Sequence, residues 1–236
     1  MKSSFVVAGF LSGFVASGAF ADLMYSQSFE NTDWLGSKYY DTQDVATDHW
    51  LFNNPGESAV NGDGFNAYYI STGGVGLGDG DFFGVTDYTG GGISGAGGYY
   101  DGNQGYQMSD VDGIVELHFD GYEGIADLVT LAIFVADTGF ENSSPNVDFL
   151  SFHYGDDDIL AYYDDNDLEA MGDGGSWIYL EFTPDTSGHF HIAFSSNAGT
   201  EVVTIDAVNI YGTVIPAPGA IVLLGLAGLA SRRRRK

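Results

Sequence analysis

The chain has 236 residues and no cysteine, and its 33 acidic side chains outnumber seven basic ones, giving a formal net charge of −26 at pH 7. Six of the basic residues lie at the two ends, so the segment 22–211 carries all 33 carboxylates and only one basic residue, Lys38. A body this acidic repels DNA, RNA and anionic lipid, because binding them requires clustered Lys and Arg. The absence of cysteine also excludes thiol catalysis, thiolate metal sites and disulfides.

The body of the chain, residues 22–213, is nevertheless predicted to fold. Apolar residues make up 44% of the sequence and aromatic residues 15%, which is more than a disordered acidic segment contains. The length suits one β-sandwich with a closed core, and no linker-like segment divides it. We therefore predict a single domain between two targeting segments.

Residues 1–21 have the features of a secretory signal peptide. Lys2 supplies a positive start, an apolar stretch follows, and the small residues Ala19 and Ala21 form a cleavage site before Asp22. An uncleaved membrane anchor is the alternative, but the apolar stretch is short and rich in glycine. The sequence favours export and cleavage after Ala21.

The C-terminal segment 214–236 has three parts. Pro216, Ala217 and Pro218 end the preceding strand, and a 12-residue apolar segment follows at 219–230. As a helix it would be about 18 Å long, against a hydrocarbon core of about 30 Å. The chain then ends on a basic cluster that the positive-inside rule keeps in the cytoplasm: Arg232, Arg233, Arg234, Arg235 and Lys236.

This tail resembles the PEP-CTERM sorting signal of bacterial surface and extracellular proteins, over about the last 22 residues. The resemblance implies recognition by an exosortase, a membrane protease-transpeptidase that would cut near the proline motif and release or re-anchor the body. The chain would then touch the membrane only through this helix, before processing. Ala217 stands where the family usually has Glu, which leaves open the exosortase variant. A plain tail anchor is the alternative reading.

Short alternating apolar segments separated by Gly, Asn-Gly and Asp-Gly turns predict an all-β, jelly-roll-like antiparallel β-sandwich with little helix. The glycine-rich segment 73–105 is predicted to form surface loops outside the core, around one edge strand. The predicted strands are Leu23–Glu30, Phe65–Ser71, Asp81–Asp87, Gly113–Phe119, Leu128–Ala136, Val147–Tyr154, Ile159–Tyr163, Trp177–Thr183, His189–Phe194 and Glu201–Tyr211.

The first and last of these strands resemble those of galactose-binding-like and carbohydrate-binding jelly-rolls, in Ser26–Glu30 with Trp34, in Trp177–Phe182 and in Ile205–Ile210. The resemblance implies this fold and glycan binding, and no catalytic residue is carried over. It also implies a calcium ion that ties the first strand to the last, with Glu30 and Asp206 as ligands. The alternative is that both are ordinary charges at a strand end and an edge.

A second calcium hypothesis rests on the densest acidic segment, which flanks the short strand 159–163. Asp156 and Asp158 precede that strand, and Asp165 and Asp167 follow it. If the strand is an edge element, its two flanks offer the oxygen ligands that calcium prefers. The alternative is a solvated acidic face that promotes solubility.

The sequence contains no pattern specific to catalysis. The closest histidine pair, His189 and His191, would face one side of a strand, where a cross-strand polar face is favoured over a metal site. The Tyr pairs, such as Tyr68-Tyr69 and Tyr162-Tyr163, are expected to place one ring outward, where it could stack on a sugar. The sequence thus favours an exported, non-catalytic surface or matrix protein that contacts polysaccharide, over a secreted carbohydrate-active enzyme on the same fold.

The two terminal signals predict that the mature protein lacks both ends. Intact-mass analysis of protein from the native host should find Asp22 at the N-terminus and the basic cluster Arg232–Lys236 removed. Surface-located protein that still carries the arginines would contradict the sorting hypothesis.

Overall fold

We describe a computed structural model of the chain. It describes residues 21–30, 46–53, 57–73, 76–77, 82–136, 139–143, 146–155, 158–185 and 187–214. Residues 1–20 of the predicted signal peptide, the sorting motif with its basic cluster, and Asp156 lie outside the described residues. Within them, no helix has the length and hydrophobicity needed to cross a membrane.

The described chain is built mainly of β-strands, with one short helix. In chain order the elements are β1 Asp22–Gln27, β2 His49–Trp50, β3 Phe65–Ser71, β4 Phe82–Thr86, β5 Gly105–Ser109, β6 Gly113–Phe119, β7 Gly124–Val135, β8 Asn142–Ser143, β9 Asn146–Val147, β10 Phe149–Tyr154, β11 Asp158–Asp164, α1 Asp165–Gly172, β12 Ile178–Phe182, β13 Phe190–Ser195 and β14 Val203–Val214.

Two antiparallel sheets pack face to face around one core. In sheet I the strand order is β12-β7-β14-β5-β4, and β1 also pairs with β14. In sheet II the order is β11-β10-β13-β6-β3-β2, while β8 and β9 form a separate two-stranded ribbon. The two-residue period of a strand explains this packing, because alternate side chains of β3 and β6 are buried while those between them stay partly exposed. The predicted all-β sandwich is confirmed.

Strand β14 holds sheet I together. It pairs with β7 on one side along most of its length, and on the other side first with β5 and then with β1. The change of partner occurs at a bulge, where Ala207 has a positive φ of 51° and the register with β7 shifts between Asp206 and Asn209. This bulge fixes where the buried Asp206 side chain points.

The outer faces of the two sheets differ. The glycine-rich segment covers sheet I, where Trp177 Nε1 donates to the Gly98 carbonyl at 2.7 Å and packs against Phe134. The expectation that residues 73–105 stay outside the core is wrong, because Leu77, Phe83 and Val85 belong to it. The expected edge strand is present, as β4 at the end of sheet I.

All ten predicted strands are present, with bounds that differ by a few residues. The sequence did not predict α1, the strand β5, which begins directly after the glycine-rich segment, or the two-residue strands β2, β8 and β9. Helix α1 begins because Asp164 caps it, accepting a hydrogen bond from the Asp167 main-chain N–H at 3.3 Å, while Asp165 and Asp167 lie in its positive first turn.

We predict that Gly212→Ala lowers the free energy of unfolding by about 2 kcal/mol or more. An added Cβ would collide with the main-chain oxygen of Ile125 and lie 2.8 Å from Ala126 Cα, in a strand held on both sides. Urea unfolding should show this loss, whereas Gly174→Ala, whose nearest atoms lie 3.6 Å away, should leave stability nearly unchanged. Equal stability of both variants would contradict the packing described for β14.

Candidate functional site: the open face of sheet II

The outer face of sheet II carries a continuous row of aromatic and imidazole rings. Trp50 packs against Tyr68 at 4.9 Å and against His118 at 5.3 Å between ring centroids. His118 stacks on His191 at 5.2 Å, and His191 stacks on His153 at 4.7 Å, with interplanar angles of 13° and 7°. We call these five residues the aromatic row.

Strand register creates this row. His153 of β10 is directly opposite His191 of β13, and His191 is opposite His118 of β6. Trp50 of β2 is opposite Tyr68 of β3. Neighbouring strands are about 4.8 Å apart, so a row from β2 to β10 extends over about 19 Å.

A second ring pair continues the face toward β11. Tyr162 is 51% exposed and stacks on Phe149 of β10 at 5.5 Å. At the opposite end of the face, Trp50 is 52% exposed. The face therefore has a solvent-accessible aromatic side chain near each end, which is the arrangement that an extended ligand would contact.

Polar groups lie beside the rings. His118 Nε2 is 3.0 Å from Glu116 Oε2, and this hydrogen bond lowers the pKa of the Glu116 carboxyl. His153 Nε2 is 2.8 Å from Ser151 Oγ, and Asn66 Nδ2 donates to the Asp120 carboxylate. The face thus combines flat apolar rings with oriented donors and acceptors.

Two histidines of the row, His191 and His153, have lowered pKa values, which favours their neutral forms. Burial, together with the neighbouring His153 and His118, lowers the pKa of His191 to about 4. Burial also lowers the pKa of His153. Neutral imidazoles can stack at these distances, whereas protonated ones would repel each other. The structure pairs His191 with histidines of neighbouring strands, while His189 packs against Tyr122.

On the sheet I side, Glu30 and Asp206 hold the same loop. Glu30 Oε1 accepts hydrogen bonds from the main-chain N–H groups of Asn103 and Gln104 at 2.6 and 2.7 Å. Asp206 Oδ2 accepts from the Asp101 N–H at 2.8 Å. Burial raises the pKa of Asp206 to about 7, and Asp101 and Glu30 add to the effect.

The oxygens around this loop have the chemistry that calcium prefers, since Gln104 Oε1 is a further buried oxygen without a hydrogen-bond partner. The described residues contain no group of three or more His, Cys, Asp or Glu side chains placed to hold a metal ion. A cation here would thus need main-chain or amide oxygens in addition to the two carboxylates. Calcium at Glu30 and Asp206 stays a prediction.

The acidic segment around β11 is divided between two elements. Asp158 begins β11, at the edge of sheet II, and has a buried Oδ2 without a hydrogen-bond partner. Asp165 and Asp167 lie in the first turn of α1, where carboxylates stabilise a helix without any cation. The calcium hypothesis for this segment stays a prediction.

Two further carboxylates are buried near the end of sheet II. Burial raises the pKa of Glu201 to about 7, although its Oε2 accepts hydrogen bonds from the main-chain N–H groups of Asn197 and Ala198, both at 2.9 Å. Burial also raises the pKa of Asp148 to about 6. Neither residue was singled out from the sequence, because nothing local distinguishes them from exposed acids.

Sequence reasoning also missed Trp50 and the triple histidine stack. The two-residue strand β2 is too short for a periodicity signal, although its sequence His-Trp follows an acidic stretch. Each stacked histidine occupies the polar position of an alternating strand, as in Glu116-Leu117-His118-Phe119. This alternation predicts that the three histidines point away from the core. Only the strand register brings them next to one another.

No family model matches this chain, and no curated protein matches it in sequence. Among solved structures, the CBM22-1 xylan-binding domain of Paenibacillus barcinonensis Xyn10C matches 83% of this chain and 97% of its own, with 14% identity and a TM-score of 0.36. The K2 cleaved adhesin domain of Lys-gingipain matches 79% and 96%, with 11% identity and a TM-score of 0.39.

A carbohydrate binding module of Cellvibrio mixtus lichenase 5A, solved with cellotriose, matches 57% of this chain and 88% of its own, with 16% identity and a TM-score of 0.32. Identities and TM-scores this low carry no argument about function. Any function of this chain has to be inferred from its own side chains.

We predict that the histidine stack makes the fold less stable in mild acid. The pKa of His191 is about 4 in the folded chain and about 6.5 when unfolded, so between these values the unfolded chain binds the extra proton. Unfolding is therefore favoured as pH falls through this window. Urea unfolding at several pH values should show that wild type loses more stability from pH 6.5 to 4 than His191→Gln does.

His189→Gln is the matched control, because His189 lies outside the stack. It should follow the wild-type pH dependence. If His191→Gln and wild type show the same pH dependence, the stack does not control acid stability.

Proposed function

We propose that this chain is an exported, non-catalytic protein of the cell surface or extracellular matrix that binds neutral polysaccharide on the open face of sheet II. The observation that carries the proposal is the aromatic row, with Trp50 and Tyr162 exposed near its two ends. Processing by an exosortase belongs to the same proposal, and the order of proline pair, apolar segment and arginine cluster in the sequence supports it.

The chemistry of the face suits sugars. The C–H faces of a pyranose ring are apolar and pack on flat aromatic rings, while the hydroxyl groups need nearby donors and acceptors. Trp50 and Tyr162 supply the first kind of contact. Asn66 and Glu116 lie beside the row and supply the second.

The charge of the chain selects among polysaccharides. Every Lys and Arg lies outside the described residues, so the described part has no cationic side chain except a protonated histidine. An anionic polymer would meet uncompensated carboxylates and be repelled. We therefore propose a neutral glycan as the ligand, with an extended shape that matches the length of the row.

Calcium at Glu30 and Asp206 is part of the proposal as a structural ion. These two side chains would hold it, and its charge would offset the buried carboxylate of Asp206. The calcium ion would stabilise the position of the loop 101–104 over sheet I. Sheet I lies on the other side of the sandwich from the aromatic row.

We predict that Trp50→Ala and Tyr162→Ala each weaken glycan binding by about tenfold or more, because each removes an exposed stacking surface near one end of the row. A glycan array with the full chain identifies the ligand, and isothermal titration calorimetry then measures the affinities. Tyr179→Ala is the matched control, since Tyr179 is exposed to a similar extent, 48%, but belongs to sheet I.

The control variant should bind like wild type. Binding lost in Tyr179→Ala and kept in the other two variants would move the site to sheet I. A reducing-sugar assay run on the array hits tests the alternative, because release of reducing ends would make the chain a carbohydrate-active enzyme.

A further inference from the structure

A cavity of about 160 Å³ lies at one end of sheet II. Four adjacent strands meet there, since β6 and β10 begin at this end while β3 and β13 finish at it. The lining includes Thr72, Asp112, Asp148, Ser195, Ser196 and Asn197. The cavity is separate from the Glu30–Asp206 pair and lies near the start of α1, because its lining residue Phe149 is opposite Asp164 in the strand ladder.

Two buried oxygens of the lining have no hydrogen-bond partner. They are Asp148 Oδ1 and Ser196 Oγ, and both residues are only 1% exposed. The other oxygen of Asp148 accepts from the Glu141 main-chain N–H, so this side chain is held in place with one oxygen left over. Buried polar atoms normally have hydrogen-bond partners. Two unpaired oxygens that line one cavity therefore indicate that a polar ligand or water binds there.

The occupant must also balance charge. Asp148 lines the cavity, and Glu201 is buried against the turn that carries Asn197. The described part of the chain contains no Lys or Arg, so no described cationic side chain offsets Asp148 or Glu201. Water would satisfy the two oxygens, but it would leave the negative charge in place.

We propose that this cavity binds a hard divalent cation, calcium in an extracellular setting, through Asp148 Oδ1 and Ser196 Oγ together with main-chain oxygens and water. Its lining includes no histidine or cysteine, and oxygen-only donors select calcium or magnesium over zinc and copper. Calcium accepts mixed oxygen ligands in irregular geometry, whereas magnesium needs a compact octahedron. A cavity built from four strand ends fits calcium better.

The position of the site gives the ion a structural effect. Asp148 directly precedes β10, and Ser196 directly follows β13, while the Asp112 N–H donates to the Ser196 carbonyl at 2.9 Å. A cation held by Asp148 and Ser196 would therefore connect the start of β10 with the end of β13, next to the last ladder pair, Phe149 and Ser195. Phe149 and Ser195 line the cavity and also belong to the open face of sheet II, so the ion would support that face as well.

Isothermal titration of the chelator-treated full chain with calcium chloride tests the proposal. The buffer contains about 1 M sodium chloride, where the Debye length is about 3 Å and nonspecific attraction to the acidic surface is suppressed. Asp148→Asn, which keeps the shape and removes the charge, should bind one calcium fewer per chain than wild type. Asp206→Asn, which alters the calcium position predicted at Glu30 and Asp206, should retain this one.

Ser196→Ala is the second variant, because it removes one ligand oxygen without charge or bulk. It should weaken this site by about tenfold while leaving the count unchanged at saturating calcium. No calcium uptake by wild type, or an unchanged count in Asp148→Asn, would mean that the cavity holds only water and would overturn the proposal. If Asp148→Asn does not fold, an unchanged affinity in Ser196→Ala has the same meaning.

Discussion

Four carboxylates of this chain hold irregular segments by accepting hydrogen bonds from main-chain N–H groups, and the described residues include no Lys or Arg that could pair with them. Glu30 binds two N–H groups of the loop 101–104, and Asp206 binds a third. Glu201 binds two in the turn before β14, and Asp148 binds that of Glu141. Each acid thereby fixes a segment that has little regular structure of its own. A lysine partner would balance the same charge but would leave the loop amides unsatisfied.

This use of acids explains why the two outer faces differ. On sheet I, Glu30 and Asp206 hold the end of the glycine-rich segment, and Gly102 is needed there because an added Cβ would collide with the Glu30 carboxylate. The rest of that segment then packs over Phe134 and Trp177. No described segment of this kind covers sheet II, so its outward rings remain available. Loop packing thus covers part of sheet I, whereas the outer face of sheet II carries the aromatic row.

The sequence was sufficient for the strands but insufficient for the site. Alternation predicted β3 and β6 to the residue, since each buries every second side chain. It missed α1 because the acids 164–167 were interpreted as a possible cation loop, although an Asp before a short helix is also an N-cap. The aromatic row could not be predicted, because Trp50, His118, His191 and His153 come from four strands and only register aligns them. Burial of Asp148 and Glu201 likewise depends on tertiary contacts.

Two groups of titrating residues act against each other in mild acid. The pKa values of Asp206 and Glu201 are near 7 in the folded chain and near 4 when unfolded, so the folded chain binds their protons first and gains stability as pH falls. His191 has the opposite shift and loses stability over nearly the same range. Because the two effects have opposite signs, they partly cancel. A cation beside either carboxylate would lower its pKa and shift this balance, so that calcium would stabilise the fold most near neutral pH and progressively less as protons compete for the same oxygens.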